Sequence, residues 1–180
     1  MINVFPITDH QKKHAYCLDL LADYLKPGNR ALDIGSGSGY LVACMAEMMV
    51  PDHNNIVNNT KIVGLEYLHD IYKFGKRNIQ HSERTRDLLE NGVIEMVEGD
   101  GWKGHASLGP YHAIHVGAAA ETVPKALVDQ LALGGRLVIP VGDFMQSLMC
   151  VDKDMHGKVT QRHILDVRYV PLIKPGSDTE

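Results

Sequence analysis

The sequence predicts an α/β fold in which a mostly parallel β-sheet carries helices on both faces and ends in a C-terminal β-hairpin. Short apolar runs alternate with longer amphipathic segments through most of the chain, which is the pattern of repeated β-α-β units. A turn with three glycines in five positions follows the first apolar run, as at a strand-to-helix junction. Near the C-terminus two β-rich runs surround a turn with no helix between them.

The elements follow from the spacing of apolar residues along the chain. A helix is expected first, over residues 14–25, because "HAYCLDLLADYL" has apolar positions at helical spacing and ends at "KPG". The last helix is expected to stop at the two glycines 134–135. The polar segment 51–60 is interpreted as a surface loop. The hairpin is expected over 147–172, with its turn at "DMHGK". The predicted strands are 30–35, 61–67, 92–100, 113–119 and 135–142, and the helices between them are 40–49, 68–80 and 122–132.

Composition favours one domain that spans residues 1–180. A chain of 180 residues with 44% hydrophobic residues is long enough to bury one core. The net charge is −4 and the basic residues are scattered, so neither nucleic acid nor an anionic membrane is an expected partner. No apolar segment approaches the roughly 20 residues of a membrane span, and the N-terminus does not resemble a signal peptide. We therefore expect a cytoplasmic protein, and a monomer.

The cysteines and histidines do not form a recognisable metal motif. The three cysteines are far apart and lack CxxC spacing, which is typical of reduced, packed thiols. Ten histidines occur without an HExxH pattern. No metal is expected.

The turn "DIGSGSGY" lies where an α/β sheet binds its ligand, beside the end of the first strand. Gly35, Gly37 and Gly39 form GxGxG, whereas a dinucleotide site would read GxGxxG. Asp33, two residues before the turn, would repel a pyrophosphate but attract a cationic amino or sulfonium group. This pattern favours S-adenosyl-L-methionine over a nicotinamide cofactor.

Acidic residues at the next two strand ends support the same cofactor. Glu66 ends the second strand, where a carboxylate can accept hydrogen bonds from both ribose hydroxyls of an adenosine. Asp100 and Gly101 end the third strand and are expected beside the adenine edge. Each acid is weak evidence alone, but three at neighbouring strand ends around a glycine turn are stronger together.

The chain resembles the protein-L-isoaspartate (D-aspartate) O-methyltransferase family over roughly residues 9–173. The resemblance is carried by "LDIGSGSGYLVACMA", "VGLEY", "EGDGWKG", "HVGAAAETVPKALVDQL", "GGRLVIPVG" and "VRYVPL". It implies a Rossmann-like class I methyltransferase fold and a repair enzyme that methylates isoaspartyl residues in damaged peptides and proteins, with S-adenosyl-L-homocysteine as the product. It adds Ser36, Tyr67 and His14 to the cofactor site, and it implies substrate contacts at Gly117, Ala118, Ala119, Ala120 and Val170.

The resemblance fails at one position that bears on catalysis. The family has a Ser or Thr that orients the substrate carboxylate five residues before the position of His14, whereas this chain has Asp9. Two carboxylates about 4 Å apart repel by about 4 kcal/mol at an effective dielectric constant near 20. Thr8, one residue earlier, is the candidate to supply the missing hydroxyl, so Thr8 and Asp9 are the predicted catalytic positions.

Two further departures leave an alternative open. The chain begins almost at this loop, whereas family members have a helical segment before it, and His112 and Ile173 stand where the family usually has Asp and Ser or Thr. The alternative is a cofactor-binding domain with impaired catalysis. An oxidoreductase is disfavoured by the glycine spacing, and a nucleic-acid methyltransferase by the negative charge.

Overall fold

A computed structural model describes residues 9–52, 55–174 and 176, and strands and helices alternate through them. The helices are α1 (Asp9–Leu21), α2 (Tyr40–Met49), α3 (His69–His81), α4 (Glu83–Glu90) and α5 (Lys125–Asp129). The strands are β1 (Arg30–Ile34), β2 (Lys61–Glu66), β3 (Ile94–Glu98), β4 (Tyr111–Val116), β5 (Leu131–Val141), β6 (Gln146–Lys153) and β7 (Val159–Val167). A short 3-10 turn spans Ala106–Leu108.

The described strands form one seven-stranded sheet in the order β3-β2-β1-β4-β5-β6-β7. Strands β1 to β5 are parallel, while β6 and β7 pair antiparallel as a hairpin. The strand order reverses between β1 and β4, and the carboxyl ends of these two strands therefore border the crevice where such sheets bind ligands. The predicted fold class is confirmed.

The two faces of the sheet are covered unequally. One hydrophobic cluster joins the sheet to α1, α2, α3 and α4 through residues such as Leu21, Met45 and Ile79. The other cluster includes Leu127 of α5 and has Trp102 and Leu172, from the loops around the crevice, packed against it. In the described part of the chain, this second cluster contains residues of the short helix α5 and is in contact with loops that border the crevice.

The predicted boundary between the last helix and β5 is wrong. Helix α5 ends at Asp129, and β5 begins at Leu131, which pairs with Tyr111 of β4. The two glycines lie inside β5 at an irregularity in its pairing with β4 and do not end a helix. A Cβ on Gly135 would lie 3.0 Å from the carbonyl oxygens of Ala132 and Tyr111, so the close approach of these backbones requires glycine.

Two helices also differ from the sequence pattern. Helix α1 starts at Asp9 and ends at Leu21, several residues before the predicted positions at both ends. Helix α4 had no predicted counterpart. None of the helices in the described ranges is long and apolar enough to cross a membrane.

Candidate functional site

A cavity opens at the carboxyl ends of β1, β2 and β4. The segment of residues 170–173, which we call the strap, follows β7 and lines this cavity together with the loops after these strands. Several residues predicted from the sequence meet here. They are Gly35, Glu66, Tyr67, Gly101, Gly117, Ala118 and Val170.

The glycine turn, residues 35–39, reverses the chain between β1 and α2. Gly35, Gly37 and Gly39 have φ angles of 72°, 54° and 79°, which residues with a side chain rarely adopt. Helix α3 packs directly on this turn, because a Cβ on Gly75 would overlap the carbonyl oxygen of Gly37. Glycine is therefore needed on both sides of this contact.

The backbone N–H groups of this turn are used within the protein. Those of Gly35 and Ser36 donate to the carbonyl oxygen of Leu65 at 2.8 and 3.1 Å. The N–H group of Gly37 donates to Oε2 of Glu66 at 3.0 Å. These three donors are not available to a phosphate group, which is the ligand that strand-to-helix turns commonly bind through N–H groups.

Glu66 is buried, and backbone hydrogen bonds hold its carboxylate in place. Its Oε1 accepts hydrogen bonds from the N–H groups of Tyr67 at 2.9 Å and Leu68 at 3.1 Å. With the bond from Gly37, three of the roughly four acceptor positions of a carboxylate are occupied. The side chain is thus a fixed anionic acceptor at the edge of the cavity.

Asp33 is paired with a histidine that the sequence interpretation did not assign to the site. Asp33 of β1 and His115 of β4 are register partners, and Oδ1 of Asp33 lies 2.7 Å from Nδ1 of His115. Both residues are buried, at 1% and 2% exposure. Nε2 of His115 is buried and has no hydrogen-bond partner among the described residues. Burial alone would lower the pKa of His115, but the Asp33 carboxylate outweighs burial and raises it.

The loop after β3 is shaped by Asp100. Its Oδ1 accepts a hydrogen bond from the N–H group of Trp102 at 2.9 Å, and its Oδ2 lies 3.4 Å from the Lys103 ammonium. Gly101 lines the cavity, and a Cβ there would lie 2.7 Å from Ile34. The contact of Asp100 with an adenine edge stays a prediction.

The strap is attached to the loop after β4 by short backbone hydrogen bonds. The N–H group of Ala119 donates to Val170 at 2.8 Å, and that of Leu172 donates to Ala119 at 2.7 Å. The indole N–H of Trp102 donates to the carbonyl oxygen of Leu172 at 3.3 Å. Ala120 is fully buried, and its N–H group donates to a carbonyl of β5. Of the four predicted small substrate residues, Gly117 and Ala118 therefore line the cavity, while Ala119 and Ala120 hold the surrounding loops.

A second cavity adjoins the first at the strap. Residues 171–173 line both cavities, and Ala119, Trp102 and the turn between β5 and β6 line the second. A ligand that extends beyond the first cavity past the strap would enter this groove.

The predicted residues of the first helix lie apart from the cavity or outside the described part. His14 stacks its ring on Tyr40, the first residue of α2, with centroids 5.8 Å apart. Asp9 is the first residue of α1, but its side chain lies outside the described part of the structure, as does all of Thr8. The two predicted catalytic positions therefore remain predictions.

Leu68 and Ile71, at the start of α3, and residues 171–173 line the cavity without having been predicted. Their only sequence signal is their position next to a strand end, within "VRYVPL" or, for Ile173, directly after it. The three cysteines are free thiols, and no group of three or more His, Cys, Asp or Glu side chains suited to a metal ion occurs among the described residues.

Comparison with known proteins places this chain among methyltransferases. A family model described as protein-L-isoaspartate (D-aspartate) O-methyltransferase matches residues 7–176. Protein-L-isoaspartate O-methyltransferase 1 of Arabidopsis thaliana is 46% identical over 88% of this chain and 66% of its own length. The Caenorhabditis elegans protein-L-isoaspartate O-methyltransferase is 47% identical over 88% of this chain and 67% of its own length. The chain thus spans about two thirds of the length of these curated relatives.

A solved structure supports the same grouping. A Plasmodium falciparum protein-L-isoaspartate O-methyltransferase homologue, crystallised with S-adenosyl-L-homocysteine, is 34% identical and superposes with a TM-score of 0.79. The match covers 96% of this chain and 78% of that one. From the extent of the family match and the identity of these relatives, the chain belongs to the protein-L-isoaspartate (D-aspartate) O-methyltransferase family.

Proposed function

We propose that this protein methylates the free carboxylate of L-isoaspartyl and D-aspartyl residues in damaged peptides and proteins. The methyl donor is S-adenosyl-L-methionine, and the product is S-adenosyl-L-homocysteine. Family membership supports the reaction, and the structural observation that carries the proposal is the fixed Glu66 carboxylate beside a glycine turn.

The cavity residues fit an adenosine cofactor. Glu66 provides an anionic acceptor for a ribose hydroxyl, and the apolar side chains of Leu68 and Ile71 suit the face of an adenine ring. The hydroxyl oxygen of Ser36 is buried without a hydrogen-bond partner among the described residues. A buried unpaired polar atom is unusual, and a polar group of a bound ligand would satisfy it.

The chemistry requires alignment and little proton transfer. When bound, S-adenosyl-L-methionine supplies an electrophilic methyl group on a sulfonium. The nucleophile is a carboxylate with a reference pKa of about 3.9, which is already ionised at neutral pH, so no general base is needed. The protein's residues hold the two reactants in line and keep water away, which are the contributions of positioning and electrostatics.

On the substrate side, Gly117 and Ala118 leave room for a polypeptide backbone next to the cavity.

We propose that the Thr8 hydroxyl orients the substrate carboxylate and that Asp9 points away from it. Thr8→Val is then expected to lower kcat/KM for an isoaspartyl peptide at least ten-fold with the cofactor KM unchanged. If Asp9→Ser instead raises kcat/KM and Thr8→Val has no effect, the hydroxyl role does not belong to Thr8.

The reaction is tested with methyl-labelled cofactor and two peptides that differ only in an isoaspartyl or an aspartyl residue. We expect base-labile label on the isoaspartyl peptide alone. Tight binding of S-adenosyl-L-homocysteine by calorimetry without any label on that peptide would contradict the proposal and favour the cofactor-binding domain with impaired catalysis.

We propose that this single domain works in the cytoplasm as a monomer, without nucleic acid. The net charge of −4 and the scattered basic residues support the exclusion of nucleic acid. The three free thiols are consistent with a reducing compartment. Sedimentation at assay concentrations tests the monomer.

A further inference from the structure

The turn between β5 and β6, residues 142–145, exposes two large apolar side chains. Phe144 is 99% exposed and Met145 is 92% exposed. Adjacent apolar side chains that are almost fully exposed often mark a surface that contacts another molecule.

This turn is firmly built. Gly142 has a φ of 122°, and a Cβ there would overlap the carbonyl oxygen of Met145. The Gln146 side chain accepts a hydrogen bond from the N–H group of Tyr169 at 2.6 Å. It also donates to the carbonyl oxygens of Tyr169 at 3.0 Å and Asp143 at 3.2 Å. One side chain therefore fixes the turn to the residue that precedes the strap.

Phe144 lies where the proposed substrate would pass. It lines the second cavity, whose strap residues 171–173 also line the cofactor cavity. A polypeptide whose damaged side chain enters the first cavity beside the strap would place neighbouring residues in the second. Trp102 and Tyr169 also line the second cavity, but the indole of Trp102 is hydrogen-bonded to Leu172 of the strap and the backbone of Tyr169 is hydrogen-bonded to Gln146.

We propose that Phe144 is a substrate-contacting residue that receives an apolar side chain located within a few residues of the methylated one. This inference rests on the proposed function and extends it to the sequence around the damaged residue. An anionic membrane is a poorer partner, because Asp143 and Glu121 also border the cavity. Two side chains also fall well short of the roughly 1,000 Å² that a stable interface between copies requires.

The test uses isoaspartyl peptides in a glycine and serine background. Each peptide has a single leucine at one of the three positions on either side of the isoaspartyl residue, and the reference has none. With the wild-type protein, we expect leucine in at least one position to lower KM about five-fold, because two apolar side chains become partly buried together. Phe144→Ser should remove this gain without changing the melting temperature, since the side chain packs against little.

Met155→Ser is the matched control, because Met155 is also exposed, at 67%, but lies in the turn between β6 and β7. The Met155→Ser variant should still show the lower KM for the leucine-containing peptides. The inference is overturned if leucine has no effect in any position, if the gain persists in Phe144→Ser, or if that variant dissociates a dimer seen by sedimentation. Absence of label on every peptide, the reference included, would instead show that the proposed function fails, and the inference with it.

Discussion

Replacing His115 by leucine should destabilise the protein strongly, because the Asp33 carboxylate would lose its partner while remaining buried. The two side chains are 2.7 Å apart and almost completely inaccessible to water. Removing one member of a buried ion pair typically costs about 3–5 kcal/mol of unfolding free energy. His115→Asn removes the charge but keeps a side-chain N–H group near the position of Nδ1, so we expect it to lose about 1–2 kcal/mol less than His115→Leu.

The same pair should make stability depend on pH. Burial lowers the pKa of His115, but the hydrogen bond and the charge of Asp33, with a smaller effect of Cys17, raise it overall to about 10. The unfolded imidazole has a pKa of about 6.5. The folded protein therefore holds a proton that the unfolded chain releases above pH 6.5. This stabilisation is complete below pH 6.5 and declines as pH rises towards 10, by at most about 1.4 kcal/mol per pH unit.

Urea unfolding followed by circular dichroism at pH 7, 8 and 9 measures both effects. Other groups that titrate in this range contribute to wild type and variants alike, so the informative quantity is the difference in slope between wild type and His115→Asn. Tyr111→Phe is the control, because it removes a hydrogen bond of 2.6 Å to His105 at the other end of β4. Its unfolding free energy should fall by about 1 kcal/mol, and that free energy should depend on pH between 7 and 9 as it does in the wild type. Equal slopes for wild type and His115→Asn, or a loss below about 1 kcal/mol in His115→Leu, would refute the buried charged pair.

Three further variants test the cofactor site. Glu66→Gln turns one acceptor into a donor that faces backbone N–H groups. The Kd of S-adenosyl-L-homocysteine, measured by calorimetry, should therefore rise about 30- to 100-fold. An unchanged Kd would exclude Glu66 from the site. Gly75→Ala places a methyl group against Gly37 and should raise the same Kd at least ten-fold, whereas Lys73→Ala on the exposed side of α3 should not. Trp102→Phe removes the hydrogen bond from the indole to the strap. Dissociation of S-adenosyl-L-homocysteine, measured by stopped flow, should become about three- to ten-fold faster. A rate equal to that of the wild type would show that this bond does not hold the strap.

The sequence was sufficient to predict the parallel sheet, the glycine turn and the position of Glu66, because each depends on local patterns. Strand β2 ends at Glu66, one residue before the end of the predicted strand "KIVGLEY". Side-chain pairs that depend on how two strands are aligned in the sheet were not predictable from the sequence. Asp33 and His115 are 82 positions apart, and only the alignment of β1 with β4 places them opposite one another.

The end of α5 was mispredicted for a related reason. Two consecutive glycines are a common helix stop, but here they lie in β5, where the backbones of residues 111, 112 and 132 approach too closely for a side chain. The position of the strap was equally hidden. It depends on hydrogen bonds between Ala119 and residues about 50 positions later in the chain. Tertiary contacts of this kind leave little trace in local spacing.

The glycine turn and Glu66 disfavour a dinucleotide more strongly than Asp33 does. The sequence suggested that Asp33 would repel a pyrophosphate, but its carboxylate is buried and lies 2.7 Å from Nδ1 of His115, whose pKa it raises. The stronger obstacle is the glycine turn itself. Its N–H groups at Gly35 and Ser36 are taken by Leu65 and that at Gly37 by Glu66, so a phosphate would find few donors and a fixed anion instead. The site therefore favours an uncharged group with hydroxyls, such as a ribose, because Glu66 at the end of β2 binds an N–H group of the turn. Asp33 contributes less to this preference than its position in the sequence suggests.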